Sequence, residues 1–107
     1  MRDPDQKNVQ RIGFVLTPNF ALMSYASAAE PLRAANLIAG TDLYDAVPLS
    51  FGGEAVRSSS GIIVECQPLM SLGEGCSTIF VCAGGTPQDW DLPEGSLALL
   101  RRLARQG

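Results

Sequence analysis

Glu30 is followed directly by Pro31 inside an otherwise helical stretch, Glu30-Pro31-Leu32-Arg33-Ala34-Ala35-Asn36. An interior proline removes one backbone hydrogen bond and clashes with the carbonyl four residues earlier; such violations of local rules often mark function. The carboxylate has three readings. It pairs locally, with Arg33 or Arg11; it is an exposed helix acid of no consequence; or it sits in a pocket, where desolvation would raise its pKa and let it act on a thiol or ligand. A second candidate is the turn Ala83-Gly84-Gly85, which follows an apolar run. Paired glycines there let backbone N–H groups converge on one anionic atom, as in a nest or oxyanion hole, or they simply make a tight turn at positive φ. Asn19 lies just beyond another apolar run, at the same predicted edge, and is also a candidate helix N-cap.

Little else in the chain supports chemistry. There is no histidine, which removes Ser–His and Cys–His nucleophile pairs from this segment. Cys66, Cys76 and Cys82 show no CxxC spacing, so a metal site would need cysteines and carboxylates alone, and free thiols are expected. Gly52-Gly53 and Gly73-Glu74-Gly75 form neither a Walker nor a Rossmann phosphate loop. No metal or cofactor is therefore expected. The net charge of −3 argues against gripping a phosphate backbone, and Arg101, Arg102 and Arg105 read as a solvated helix end.

The 107 residues allow one domain, and 46% hydrophobic with 18% charged residues fits a soluble core. No apolar run approaches the roughly 20 residues of a membrane span, and the polar start lacks a secretory signal, so a cytoplasmic location is expected. Residues 1–10 read as a flexible tail. Ile12-Gly13-Phe14-Val15-Leu16 reads as a strand buried on both faces. A helix is expected over 20–39, stopped by Gly40 and kinked or broken between Ser27 and Pro31. Ala46–Phe51 reads as a strand whose Pro48 implies an edge or irregular position. Ala55–Arg57 and Ile62–Cys66 read as a hairpin across Ser58-Ser59-Ser60-Gly61, 67–76 as a polar loop, and Thr78–Cys82 as an apolar strand. A last helix, from about Pro93 or Glu94 to Gln106, carries Leu97, Leu100 and Ala104 as its apolar stripe. Apolar strands alternating with helices imply a parallel, helix-covered sheet, with ligands beyond the carboxyl ends of its strands.

The stretches RIGFVLTPNFALMSYASAAEPLRAAN, LYDAVPLSFGG, VRSSSGIIV and IFVCAGG, in this order, resemble the N-terminal domain of GlxA-type, AraC-family transcriptional regulators. Their sensor belongs to the ThiJ/PfpI, class I glutamine amidotransferase-like superfamily. The resemblance covers nearly all of 11–107. EPLRAAN is its most specific element, whereas the strand leading to Gly-Gly is shared with the superfamily's enzymes. It implies an α/β, flavodoxin-like three-layer sandwich with a parallel sheet and a β-hairpin. It also implies a ligand-sensing, dimerising domain that responds to an amino acid or quaternary amine, with DNA bound through a separate C-terminal domain. By the same resemblance, Glu30 matches the acid facing the superfamily's nucleophile elbow, and Gly84 and Gly85 match the backbone turn lining the same pocket; Asn19 is a ligand-site candidate from its place at the sheet edge alone.

The elbow cysteine of that superfamily would lie on a strand beyond Gly107, and none of the three cysteines takes its place. The sequence accordingly reads as incomplete at its C-terminus, with neither catalysis nor operator binding expected of it. The competing class is a fragment of an isocyanide hydratase-, glyoxalase- or peptidase-like enzyme. Such enzymes carry an aspartate early in the first helix, in a pattern like LDLxGPxEVF, where this chain has Ala21-Leu22-Met23-Ser24-Tyr25. An unfinished sheet also predicts an open edge at Thr78–Cys82 that another chain covers, or else poor stability.

Overall fold

The structure, a computed structural model, describes residues 9–84 and 95–106. The chain runs β1 (Gln10–Leu16), α1 (Leu22–Ala39), β2 (Tyr44–Ser50), β3 (Val56–Arg57), β4 (Ile63–Val64), β5 (Gln67–Pro68), α2 (Leu69–Leu72), a 3-10 turn (Gly73–Gly75), β6 (Thr78–Cys82) and α3 (Ser96–Gln106). Four strands form one parallel sheet in the order β5-β2-β1-β6, and β3 and β4 form a separate antiparallel hairpin. Of the expected tail over 1–10, Gln10 already belongs to β1, while 1–8 and the expected start of the last helix at Pro93 or Glu94 lie outside the described residues.

The central strand β1 explains the layering. Side chains alternate across a strand, so Ile12, Phe14 and Leu16 point to one face and Val15 to the other. On the first face they meet Leu22, Tyr25, Ala28, Ala29 and Leu32 of α1, together with Val56 and Val64 of the hairpin. On the second, Val15 and Leu49 pack with Leu69 of α2 and Leu103 of α3. The fold is therefore an α/β sandwich of three layers, with β1 buried on both sides as its unbroken apolar run implied.

Helix α1 runs uninterrupted from Leu22 to Ala39 with Pro31 inside it, so the break expected near Ser27 does not occur. Ser27 and Pro31 both lie on the exposed side of the helix, where water can satisfy the carbonyl that proline leaves without a donor. Gly40 ends the helix as expected, at φ 71°, with its N–H donated to the carbonyls of Asn36 and Leu37.

Three further expectations are corrected. The helix N-cap is Ala21 rather than Asn19. The segment 67–76 is structured, because Leu69 is fully buried and nucleates a short helix beneath the sheet. In α3 the buried anchor is Leu103, flanked by Ser96, Leu99 and Leu100, whereas Ala104 is exposed and the side chain of Leu97 lies outside the described set. The irregular position of Pro48 is observed: β5 pairs only with Leu49 and Ser50, leaving the Pro48 stretch of β2 as an open edge among the described residues.

Candidate ligand site at the carboxyl edge of the sheet

Strands β1 and β6 lie side by side and end together at Leu16 and Cys82. Beyond them the segment Thr17–Ala21 is held on both flanks. Thr17 donates its N–H and its hydroxyl to the Cys82 carbonyl, each at 3.1 Å. Asn19 donates its N–H to the Arg57 carbonyl at 2.9 Å, and Ser59 donates to the Phe20 carbonyl at 2.9 Å. Phe20 also bridges to Ser58 on one side and to Gly84 on the other. Its ring is fully buried and meets Tyr25 edge-on at 6.2 Å. Three pieces of chain distant in sequence thus converge around Phe20, at the edge where parallel sheets bind ligands.

The triple serine is the turn expected of it, and it has a second use. Ser58 is buried; its hydroxyl contacts that of Ser60 at 3.0 Å and accepts the Ile62 N–H at 3.0 Å. Those bonds close the hairpin turn, which in turn presents Arg57 and Ser59 to the Thr17–Ala21 segment.

Of the candidate residues, Asn19 and Gly84 are brought together through Phe20, and Gly85 lies outside the described residues. Asn19 is left-handed at φ 59°, a conformation asparagine tolerates better than most residues. Glu30 stands elsewhere. It lies eight residues past the first residue of α1, roughly 12 Å along the axis at about 1.5 Å per residue. Its carboxylate is exposed and paired with Arg33, while Arg11 pairs with Asp45 at 3.3 Å instead. Local pairing is thus the reading of Glu30 that the geometry displays.

Tyr25 links the two regions. Burial, and then the nearby Cys66, Cys82 and Glu30, push its phenol above the ordinary 10.0. Tyr25 read in sequence as one more apolar helix position, and its spacing gave no sign of this role. Burial likewise pushes the Cys66, Cys76 and Cys82 thiols above the ordinary 9.0. A thiol held protonated is a poor nucleophile, so none of the three suits covalent catalysis at neutral pH. No group of three or more metal-ligating side chains occurs among the described residues, and no described helix is long and apolar enough to cross a membrane.

Comparison with known proteins agrees with this arrangement. No protein-family model matches the chain. It is 63% identical over 103 residues to the HTH-type transcriptional regulator GlxA of Rhizobium meliloti (strain 1021), a match that takes in 96% of this chain and 32% of that protein. The chain thus spans about a third of the length of that relative. Its fold matches the crystal structure of an AraC family transcriptional regulator from Pseudomonas putida with a TM-score of 0.72 at 28% identity, over 92% of this chain and 52% of the other. It also matches the DJ-1 superfamily protein Atu0886 of Agrobacterium tumefaciens with a TM-score of 0.64, over 92% of this chain and 50% of that one; at 18% identity this likeness speaks for the fold alone. By sequence the chain is a homologue of about a third of the HTH-type transcriptional regulator GlxA, and by structure it shares the α/β fold of an AraC family regulator and of a DJ-1 superfamily protein.

Proposed function

We propose that this chain is the effector-sensing and dimerising part of an AraC-family transcriptional regulator of the cytoplasm. The observation that carries the reading is the 63% identity with an HTH-type regulator across nearly the whole chain. The effector is an amino acid or a quaternary amine, bound beyond the carboxyl ends of β1 and β6. Asn19, Gly84 and Gly85 supply backbone and amide groups, whereas Glu30, exposed and paired with Arg33, stands outside the site. DNA is contacted only through a C-terminal domain outside this chain, and the second subunit is another copy of the same regulator.

Sensing requires binding without consumption. Neither a histidine nor a low-pKa thiol is available to turn a ligand over, which supports a sensor over an enzyme. The test is isothermal titration with glycine betaine, carnitine and L-arginine, followed by NMR of the same samples for several hours. Saturable binding of one of them, with the ligand unchanged afterwards, is the expected result. Consumption of methylglyoxal or of an isocyanide by the chain would overturn the sensor reading in favour of an enzyme of the same fold.

A further inference from the structure

On the β2 side of Asn19 a cleft of about 240 Å³ opens between the end of β1 and the start of the hairpin. Leu16, Pro18, Phe51 and Val56 give it apolar walls, and Asn19, Glu54 and Arg57 are its polar lining. That volume falls below the roughly 300–1,000 Å³ of sites for drug-sized ligands, so it suits a metabolite of amino-acid size. Glu54 and Arg57 carry opposite charges, yet no ion pair joins them to each other or to any other described residue. The Glu54 carboxylate turns toward Gly52 and lies close enough to Cys66 to raise its thiol pKa. The Arg57 guanidinium lies over Gly61, within ordinary contact distance of a Cβ at that position. Glu54 and Arg57 thus line the cleft with their charged ends resting toward Gly52 and Gly61, and both side chains are exposed and long enough to turn toward a ligand with a carboxylate at one end and a cation at the other.

We infer that this cleft is a zwitterion site: the Arg57 guanidinium binds the ligand carboxylate, and Glu54 with the Phe51 ring holds its cationic amine. Guanidinium forks match carboxylates in two parallel hydrogen bonds, and an aromatic face attracts an ammonium or quaternary amine. Asn19 forms the wall common to this cleft and to the Phe20 junction. Occupancy here would therefore bear directly on the segment that ties β1, β6 and the hairpin together. The inference rests on the sensor reading for the ligand's class and assigns its charged contacts to residues other than Glu30.

The test is titration calorimetry of the chain with glycine, glycine betaine and L-arginine as zwitterions, and with choline and acetate as half-ligands. The expected result is saturable binding of at least one zwitterion, with choline and acetate each weaker by about tenfold or more, since each forfeits one charge-assisted contact. Arg57→Gln should weaken the zwitterion about tenfold and leave choline unchanged. Glu54→Gln should weaken zwitterion and choline alike. Glu30→Gln should change neither. Both substituted cleft residues are exposed, so circular dichroism should show unaltered folding in each variant. Loss of binding in Glu30→Gln with none in Arg57→Gln would overturn this inference and leave the sensor reading standing, with its ligand at the other site. No saturable binding of these three zwitterions or of carnitine to the folded chain would overturn both.

Discussion

The Asn36 side chain ties the end of α1 to the start of β2. Its amide nitrogen donates to the Tyr44 carbonyl at 2.8 Å, and its oxygen accepts the N–H groups of Leu43 and Tyr44 at 2.8 and 3.0 Å. Three bonds of one amide thus fix how α1 passes into β2. At about 1 kcal/mol net for each neutral hydrogen bond, Asn36→Ala should cost about 2–3 kcal/mol in urea unfolding, whereas a purely surface position would change by less than about 0.5. EPLRAAN was legible as a motif, but Asn36 was not legible as a clamp, because its partners lie beyond the helix end. Glu30 shows the opposite case: the sequence flagged it, and its three readings could be told apart only once Arg33 and Arg11 had been located. The buried thiols make a second residue-scale prediction. Burial raises the folded-state pKa of Cys82 above its ordinary 9.0, so the stability that this protonated thiol contributes is present below about pH 9 and is lost as pH rises through the raised value. Cys82 should also be the slowest of the three cysteines to react with iodoacetamide at pH 8, with denaturant abolishing the difference; faster reaction at Cys82 than at Cys66 or Cys76 would contradict its burial.

At the scale of elements, helix α1 and the segment 67–76 show where local rules mislead. Proline's cost in a helix is real, but it is reduced where the orphaned carbonyl meets water, and Pro31 lies on that face. Pro31→Ala restores a backbone donor and removes the ring clash, against a smaller gain in unfolded-chain entropy. It should therefore stabilise the fold by about 1–2 kcal/mol in thermal or urea unfolding; no change would mean that the helix already absorbs the ring without penalty. Segment 67–76 looked like a loop because its glycines and serines mask a single decisive residue. Leu69 is fully buried, and Gly73 lets Leu103 of α3 approach: a Cβ at Gly73 would stand 2.9 Å from a Leu103 methyl. Leu103→Ala should consequently cost about 2–5 kcal/mol, the range for truncating a buried leucine; a loss below about 1 kcal/mol would show that α3 is only loosely docked. The strands were legible because continuous apolar runs have few alternatives. The partner of each helix face was not, since it depends on which strands become neighbours.

For the whole molecule, the parallel sheet and its layers followed from alternating apolar strands and helices, and the hairpin from its serine turn. The meeting of Thr17–Ala21, Arg57–Ser59 and Cys82–Gly84 around Phe20 did not, because it arises from strand order rather than from any local pattern. The outer side of β6 is unpaired among the described residues, and Phe80 and Val81 are 47% and 50% exposed there. A groove of about 360 Å³ beside it is lined by Ile79, Val81, Leu100 and Leu103. A short apolar strand with no charge or proline of its own invites pairing. Sedimentation velocity should therefore show concentration-dependent association of this chain, reduced by Val81→Lys; a monomer at all concentrations would contradict that. The central claim, that this sheet edge senses a small metabolite, is tested most directly by backbone-amide NMR during titration with glycine betaine, carnitine and L-arginine. The expected result is saturable shifts confined to 16–20, 51–58 and 82–84. Saturable shifts centred instead on the β6–α3 groove, or no saturable shift with any of the three, would contradict it.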